Sequence, residues 1–201
     1  MVDLGAGTGK LTRGLTVLGY DVIAVEPSRE MAEQLRAAVP GVVALEGSAE
    51  SIPLLDGSAD VVLAAQSYHW FDELVALPEI ARVLRPQGAL GLVWNWFGEE
   101  PWLTRLSEIV DAEPISLPTP EPEIEASKLF GEVASATFLH EQTVDRTALL
   151  ELISSRSRLA TSAPAEREQR LAAVASLYDE TAGPNGLVIP YVAYCFRARK
   201  L

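Results

Sequence analysis

The stretch that decides the fold runs from Val2 to Pro27 and reads VDLGAGTGKLTRGLTVLGYDVIAVEP. A short apolar run leads into a glycine-rich turn, a helical pattern and a second apolar run that ends at Glu26. This order predicts a β-strand, an α-helix and a second β-strand, with Glu26 at an exposed strand end. Three glycines alternate in the turn: Gly5, Gly7 and Gly9. Such glycines let the backbone approach a ligand, and the acid can accept hydrogen bonds from ribose hydroxyls, so the stretch predicts a nucleoside cofactor site.

Two other kinds of cofactor loop fit this turn less well. A P-loop needs glycine where this chain has Leu4, and serine or threonine where it has Leu11, so that interpretation fails twice. A dinucleotide-binding turn would carry a small residue in place of Lys10. Lys10 weakens the dinucleotide interpretation and leaves it open.

The remaining pattern, G-x-G-x-G after the acid Asp3, is similar to the first motif of class I S-adenosylmethionine-dependent methyltransferases. Later segments resemble the same family in the same order. Gly47–Pro53 resembles its adenine-contacting segment, with Ser48 where aspartate is more usual. Glu79–Gly88 resembles its fourth helix and the following turn, with Gln87 where glycine is usual. The resemblance covers about the first 96 residues.

The resemblance implies an α/β fold: a Rossmann-like three-layer sandwich around a seven-stranded, mainly parallel sheet whose last strand runs antiparallel. Apolar periodicity predicts the individual elements. The expected helices cover 11–18, 28–39, 72–84, 146–159 and 165–180, and the expected strands after the first two cover 42–45, 60–66, 89–94, 136–144 and 191–199.

Prolines set several predicted boundaries. Pro78 either kinks the helix over 72–84 or delays its start to about Leu77. The segment Pro114–Glu125 holds four prolines and three glutamates, which predicts a loop or linker. Pro190 fits best at the start of the last strand, where no ladder hydrogen bond is lost.

Length and composition predict one domain over residues 1–201, acting on small molecules in the cytoplasm. Only Met1 precedes the first strand, so the helices that usually open this family's domain are expected to be missing. Cys195 is the single cysteine and is expected in the core of a protein from a reducing compartment. The formal net charge of −12 disfavours a nucleic acid substrate. No apolar run is long enough to cross a membrane. The sequence neither predicts nor excludes a homodimer.

The resemblance and the loop chemistry together nominate a set of cofactor-binding residues. They are Asp3, Gly5, Ala6, Gly7, Gly9, Glu26, Pro27, Met31, Ser48, Ala49, Glu50 and Gln66. Each has a structural alternative: the glycines can simply form a turn, and Met31 can belong to the helix core. No metal site is expected.

Tyr68 and His69 are the candidate catalytic residues, because they follow the predicted fourth strand at its carboxyl end. Aromatic residues in this position also serve as core, and Asp72 is most simply a helix N-cap. The resemblance implies methyl transfer from S-adenosylmethionine to a small molecule, with a small organic acid as the leading acceptor. A non-catalytic S-adenosylmethionine-binding protein and an NAD(P)-dependent oxidoreductase are the alternatives.

Overall fold

The computed structural model describes residues 1–111, 118–154, 159 and 162–201. Strands and helices alternate along most of this part of the chain. The strands are β1 (Val2–Leu4), β2 (Ile23–Glu26), β3 (Val43–Glu46), β4 (Ala59–Ala65), β5 (Leu84–Phe97), β6 (Ala134–Val144) and β7 (Leu187–Arg199). The helices are α1 (Lys10–Val17), α2 (Arg29–Ala38), α3 (Glu73–Val83), α4 (Pro101–Ile109), α5 (Glu121–Ala126), α6 (Arg146–Ser154) and α7 (Pro164–Thr181), with a short 3-10 helix over Tyr68–Trp70.

The strands form a seven-stranded sheet in the order β3-β2-β1-β4-β5-β7-β6. The pairs β1 with β2, β1 with β4, β2 with β3 and β4 with β5 are parallel. The chain fills one half of the sheet from β1 to β3 and then crosses to β4, so the strand order reverses between β1 and β4. Ligands of open α/β sheets bind beyond the carboxyl ends of the strands at such a point.

The last strand runs against its neighbours, as expected. The backbone N–H of Gly98 donates to the carbonyl of Pro190 over 2.8 Å, and the N–H of Lys200 donates to the carbonyl of Gly88 over 2.8 Å. Residue numbers therefore rise along β5 while they fall along β7, and β7 is antiparallel to β6 as well. The predicted α/β fold class is confirmed.

Contacts divide the chain into two compact units, whereas the sequence favoured a single domain. The first unit comprises Met1–Trp94, Pro118–Thr137 and Tyr194–Leu201. The second comprises Asn95–Leu117 and Phe138–Ala193. Fully buried side chains of the first unit include Leu4, Leu35, Ile80 and Leu90, and those of the second include Leu106, Leu149, Ile153 and Leu177.

Two helix starts follow the local chemistry of the sequence. Ser28 Oγ accepts a hydrogen bond of 3.3 Å from the N–H of Met31 and caps α2. Asp72 Oδ1 accepts one of 3.1 Å from the N–H of Leu74 and caps α3, as expected for an N-cap aspartate. The helix α3 continues through Pro78, so a start near Leu77 is wrong.

The proline-rich segment is only partly the predicted loop. Its residues up to 117 lie outside the described residues, but α5 begins at Glu121, so the loop prediction is wrong for 121–125. Pro122 is tolerated because a proline in the first helical turn loses no intrahelical bond, and Ile124 is buried. Pro190 likewise lies inside β7, three residues after its start at Leu187, rather than at the start.

Candidate functional site

The glycine turn after β1 adopts a backbone that favours glycine at three positions. The φ angles are +69° at Gly5, +56° at Gly7 and +86° at Gly9. A Cβ on Gly5 would lie 2.6 Å from the Cβ of Ser67, and one on Gly9 would lie 2.8 Å from Leu35 Cγ. A Cβ on Gly7 would meet nothing within 4 Å. Gly5 and Gly9 are thus needed for packing, whereas Gly7 faces open space that a ligand can enter.

The carboxylate of Glu26 fastens this turn to the start of α2. Its Oε2 accepts a hydrogen bond of 2.8 Å from the N–H of Gly7, and its Oε1 accepts one of 2.9 Å from the N–H of Ser28. Glu26 is 6% exposed, so the expectation of an exposed strand end is wrong. The turn folds over the side chain and buries it. Each carboxylate oxygen retains a second lone pair with which to accept a further donor.

Asp3 lies beneath the same turn and is 1% exposed. Its Oδ2 accepts a hydrogen bond of 2.5 Å from the hydroxyl of Thr12 in α1. Burial raises the pKa of Asp3 to about 6; the hydrogen bonds from Thr12 oppose this rise, and the charge of Glu26 adds to it. Asp3 therefore ties β1 to α1 across the turn.

The segment after β3 begins beside Glu26. The N–H of Gly47 donates to the backbone carbonyl of Glu26 over 3.3 Å, and Ser48 pairs with Ser51 in an isolated antiparallel bridge. A Cβ on Gly47 would lie 2.6 Å from Cδ of Pro53, so the segment closes tightly on itself. Ala49 is buried at 4% exposure. This places the predicted adenine-contacting residues next to the predicted ribose acceptor.

Glu50 joins this segment to the start of α3. Its Oε1 accepts a hydrogen bond of 2.9 Å from the N–H of Asp72. Partial burial of Glu50 opposes ionisation, but the hydrogen bonds from Asp72 and Ser48 outweigh it and lower the pKa of Glu50 below its ordinary value. Glu50 is therefore a charged side chain held within the site.

The carboxyl end of β4 faces the turn from the other side. Gln66 has a positive φ of 56°, and its N–H donates to the carbonyl of Val93 over 2.9 Å. Ser67 is buried, and its hydroxyl donates to the carbonyl of Leu4 over 2.9 Å. These bonds bring the β4 end against the start of the glycine turn.

The two candidate catalytic residues have different surroundings. Tyr68 is 3% exposed, packs edge-on against Phe71 and Trp94, and its hydroxyl is buried without a hydrogen-bond partner in the described structure. Burial raises the pKa of Tyr68 well above its ordinary value, and the charges of Glu73 and Glu123 raise it further. Tyr68 therefore remains a neutral phenol.

His69 is exposed, and its ring lies 5.0 Å from the ring of Trp70. Partial burial of the imidazole lowers the pKa of His69 below its ordinary value. A neutral imidazole at physiological pH can accept a proton. Of the two candidates, only His69 has the protonation state of a base.

Pro27 and Met31 follow Glu26 in the chain and lie at the protein surface. Pro27 is exposed, and Met31 is 46% exposed. The alternative in which Met31 is a helix core residue is therefore wrong. Neither side chain is held by a described contact that assigns it a role.

The sequence did not single out Glu79 and Arg82, which form a hydrogen-bonded pair beside the predicted adenine-contacting segment. The available signal was their spacing: residues three apart on a helix face the same side. Among the described residues, no group of three or more histidine, cysteine, aspartate or glutamate side chains is arranged to hold a metal. No helix in those residues is long and apolar enough to cross a membrane.

The proteins that are similar to this chain are methyltransferases. A protein-family model that describes a methyltransferase domain matches residues 2–92. An uncharacterized methyltransferase of Mycobacterium tuberculosis is 46% identical over 204 residues, which cover 98% of this chain and 82% of that protein. A malonyl-[acyl-carrier protein] O-methyltransferase of Methylococcus capsulatus is 37% identical over 106 residues, 49% of this chain and 38% of that one.

A solved structure with a similar fold is a proposed methyltransferase from an antibiotic biosynthesis pathway of Anabaena variabilis. It superposes with a TM-score of 0.69 at 23% identity and covers 96% of this chain and 88% of that chain. At this identity the likeness supports the fold, and the 46% identical relative carries the family.

Proposed function

Because the chain belongs to the class I S-adenosylmethionine-dependent methyltransferases, we propose that it transfers a methyl group to a small molecule. The observation that carries this proposal is the hydrogen bond between Gly7 and Glu26. It sets a carboxylate with spare lone pairs beside a turn whose middle glycine faces open space. That combination suits the ribose and the methionine portion of S-adenosylmethionine. The oxidoreductase alternative is not supported, since the family is that of methyltransferases.

The residues present fit this cofactor, which when bound supplies an electrophilic methyl group on sulfur. We assign Glu26 to the ribose hydroxyls, the backbone around Gly7 to the methionine portion, and the Ser48–Glu50 segment to the adenine base. Asp3 supports the turn from below through Thr12. In this arrangement the protein orients the acceptor and excludes water.

We assign the acceptor to the side of the site formed by Tyr68 and His69. Tyr68, neutral and buried, can donate a hydrogen bond to an acceptor group. His69, neutral at physiological pH, can remove a proton from an amine or a phenol. A carboxylate acceptor would need no such base.

The local charges favour a neutral or cationic acceptor over the small organic acid expected from the sequence. After burial, the charges of Glu73 and Glu123 raise the pKa of Tyr68. Burial is also the main cause that raises the pKa of Glu73, and the charges of Glu123 and Asp72 add to it. An anionic substrate would meet these carboxylates, and the net charge of −12 would repel it at longer range.

The test is calorimetric titration with S-adenosylhomocysteine and with NAD, followed by methyl-transfer assays on small amines, phenols and carboxylic acids. We expect binding of S-adenosylhomocysteine, no binding of NAD, and turnover of a neutral or amine acceptor. Binding without turnover of any acceptor class would favour the non-catalytic alternative. Turnover restricted to carboxylic acids would overturn the assignment of acceptor charge.

A further inference from the structure

We infer that Arg82, together with Glu79, is a positioning residue that fixes the segment 47–56 in the shape that receives the adenine base. This inference rests on the proposed function, because it takes that segment as the adenine site. Arg82 lies in α3 and contacts no part of the glycine turn in any described hydrogen bond. It acts on the cofactor only through the segment that it holds.

The guanidinium of Arg82 uses all five of its N–H donors. Nη1 donates to the carbonyl of Leu54 over 2.8 Å and to Oδ1 of Asp56 over 2.7 Å. Nη2 donates to the carbonyl of Ile52 over 2.9 Å and to Oε2 of Glu79 over 2.8 Å, while Nε donates to Oε1 of Glu79 over 2.8 Å. The planar donor set therefore binds two backbone carbonyls of the segment together with Asp56 and both oxygens of Glu79, and the three donors of a lysine could not make all five bonds.

Glu79 closes the arrangement from the same helix. Its Oε2 accepts a hydrogen bond of 3.1 Å from the N–H of Ile52, so the pair satisfies both the N–H and the carbonyl of that residue. The hydrogen bonds from Arg82 lower the pKa of Glu79; burial opposes this, and the N–H of Ile52 adds to it. The carbonyl of Arg82 in turn accepts from the N–H of Gly57 over 2.9 Å.

The hydrogen bonds of Arg82 lie where they can hold the segment 47–56 in place around an adenine base. The segment starts at Gly47 beside Glu26 and reaches the α3 N-cap through Glu50, and Arg82 fixes the remaining side at Ile52 and Leu54. Polar groups that read a base must be held to within a fraction of an ångström. Arg82 supplies that precision where the segment forms no regular strand or helix.

Arg85 offers a matched control. It pairs with Asp60 on the surface, with side chains 62% and 52% exposed, and it lies outside the segment. A surface pair of this kind contributes little to stability. Arg85→Lys should therefore test the general effect of replacing an arginine in this region.

The experiment measures the dissociation constants of S-adenosylhomocysteine and S-inosylhomocysteine, which differ only at the base edge. The variants are Arg82→Lys, Glu79→Gln and Asp56→Ala. The Asp56 side chain is 82% exposed, so Asp56→Ala removes one partner of Arg82 without disturbing the core. We expect the parent to prefer adenine. Arg82→Lys should lose about tenfold in affinity for the adenine ligand, and its preference should fall toward one.

Arg85→Lys should keep the parent values, and Asp56→Ala should show a smaller loss than Arg82→Lys. Folded Arg82 and Glu79 variants with the parent preference between the two bases would overturn the inference alone. A uniform loss for both ligands would also overturn it, because that is the result of general destabilisation. A parent that binds neither ligand would overturn the proposed function and the inference with it.

Discussion

The N–H of Gly7 donates a hydrogen bond of 2.8 Å to Oε2 of Glu26, across 19 positions of the chain. This bond couples the glycine turn to the end of β2. The same carboxylate therefore has two tasks: it holds the turn, and it is the proposed acceptor for ribose hydroxyls. A simple removal of Glu26 would mix the two effects.

We expect Glu26 to bind the ribose hydroxyls of the ligand. The parent should bind S-adenosylhomocysteine about tenfold more tightly than its 2′-deoxyribose analogue, since one hydrogen bond to a charged group is lost. In Glu26→Gln this difference should shrink, because the carboxylate is gone. Calorimetry on both ligands measures it. Glu46, which pairs with Glu26 in register on β3 and is exposed, is the control, and Glu46→Gln should behave as the parent. An unchanged difference in Glu26→Gln would remove Glu26 from the ribose site.

Gly7→Ala should reduce cofactor binding more than it reduces stability. The methyl group would enter the open space at Gly7, and the positive φ of 56° would lower stability by about 1 kcal/mol. Gly19 has a φ of 84° and equally open surroundings outside the site, so Gly19→Ala is a matched control. Denaturant unfolding should show similar losses in both variants, and titration should show lost affinity only in Gly7→Ala. Equal affinities would mean that Gly7 serves the turn alone.

Asp3 should make stability fall as the pH rises from about 4 to about 6. Its folded pKa of about 6 lies above the ordinary value of 3.8, so the folded state holds the proton more tightly in that window. The contribution is fully present at low pH and is lost as the pH passes the folded pKa, by about 3 kcal/mol. The difference in unfolding free energy between the parent and Asp3→Asn at pH 4 and pH 7 measures it. A difference that does not change with pH would contradict the assignment.

Sequence patterns predicted the elements whose formation is local and could not predict the contacts that come from other elements. The glycine turn, the N-cap Asp72 and the alternation of strands and helices follow from spacing and chain order. The burial of Glu26 does not, because it results from the turn closing over a residue that ends a strand. Arg82 was equally hidden: its helix was expected, but the segment it binds lies up to 30 positions earlier. The helix α4 was missed, although Pro101 stands at its first turn and Trp102, Leu103 and Leu106 provide its buried face.

Tyr68→Phe should leave stability unchanged or raise it by about 1 kcal/mol, because the buried hydroxyl of Tyr68 lacks a partner and is removed. If the hydroxyl binds the acceptor, KM for the acceptor should rise while affinity for S-adenosylhomocysteine stays the same. Tyr20→Phe at a 51% exposed position is the control. Unaltered steady-state kinetics in Tyr68→Phe would make Tyr68 a packing residue.

His69 should set the acidic limb of the pH profile for an acceptor that must lose a proton. A base acts only when it is neutral, and partial burial keeps the pKa of His69 below its ordinary value of 6.5. The value of kcat/KM should therefore fall as the pH drops below that region and stay level above it. In His69→Gln the rate should be about a hundredfold lower, and the limb should disappear. His140→Gln, which changes the other histidine of the chain, should keep both the rate and the limb. If His69→Gln retained the acidic limb, the proton would go to another group, and His69 would have no role as the base.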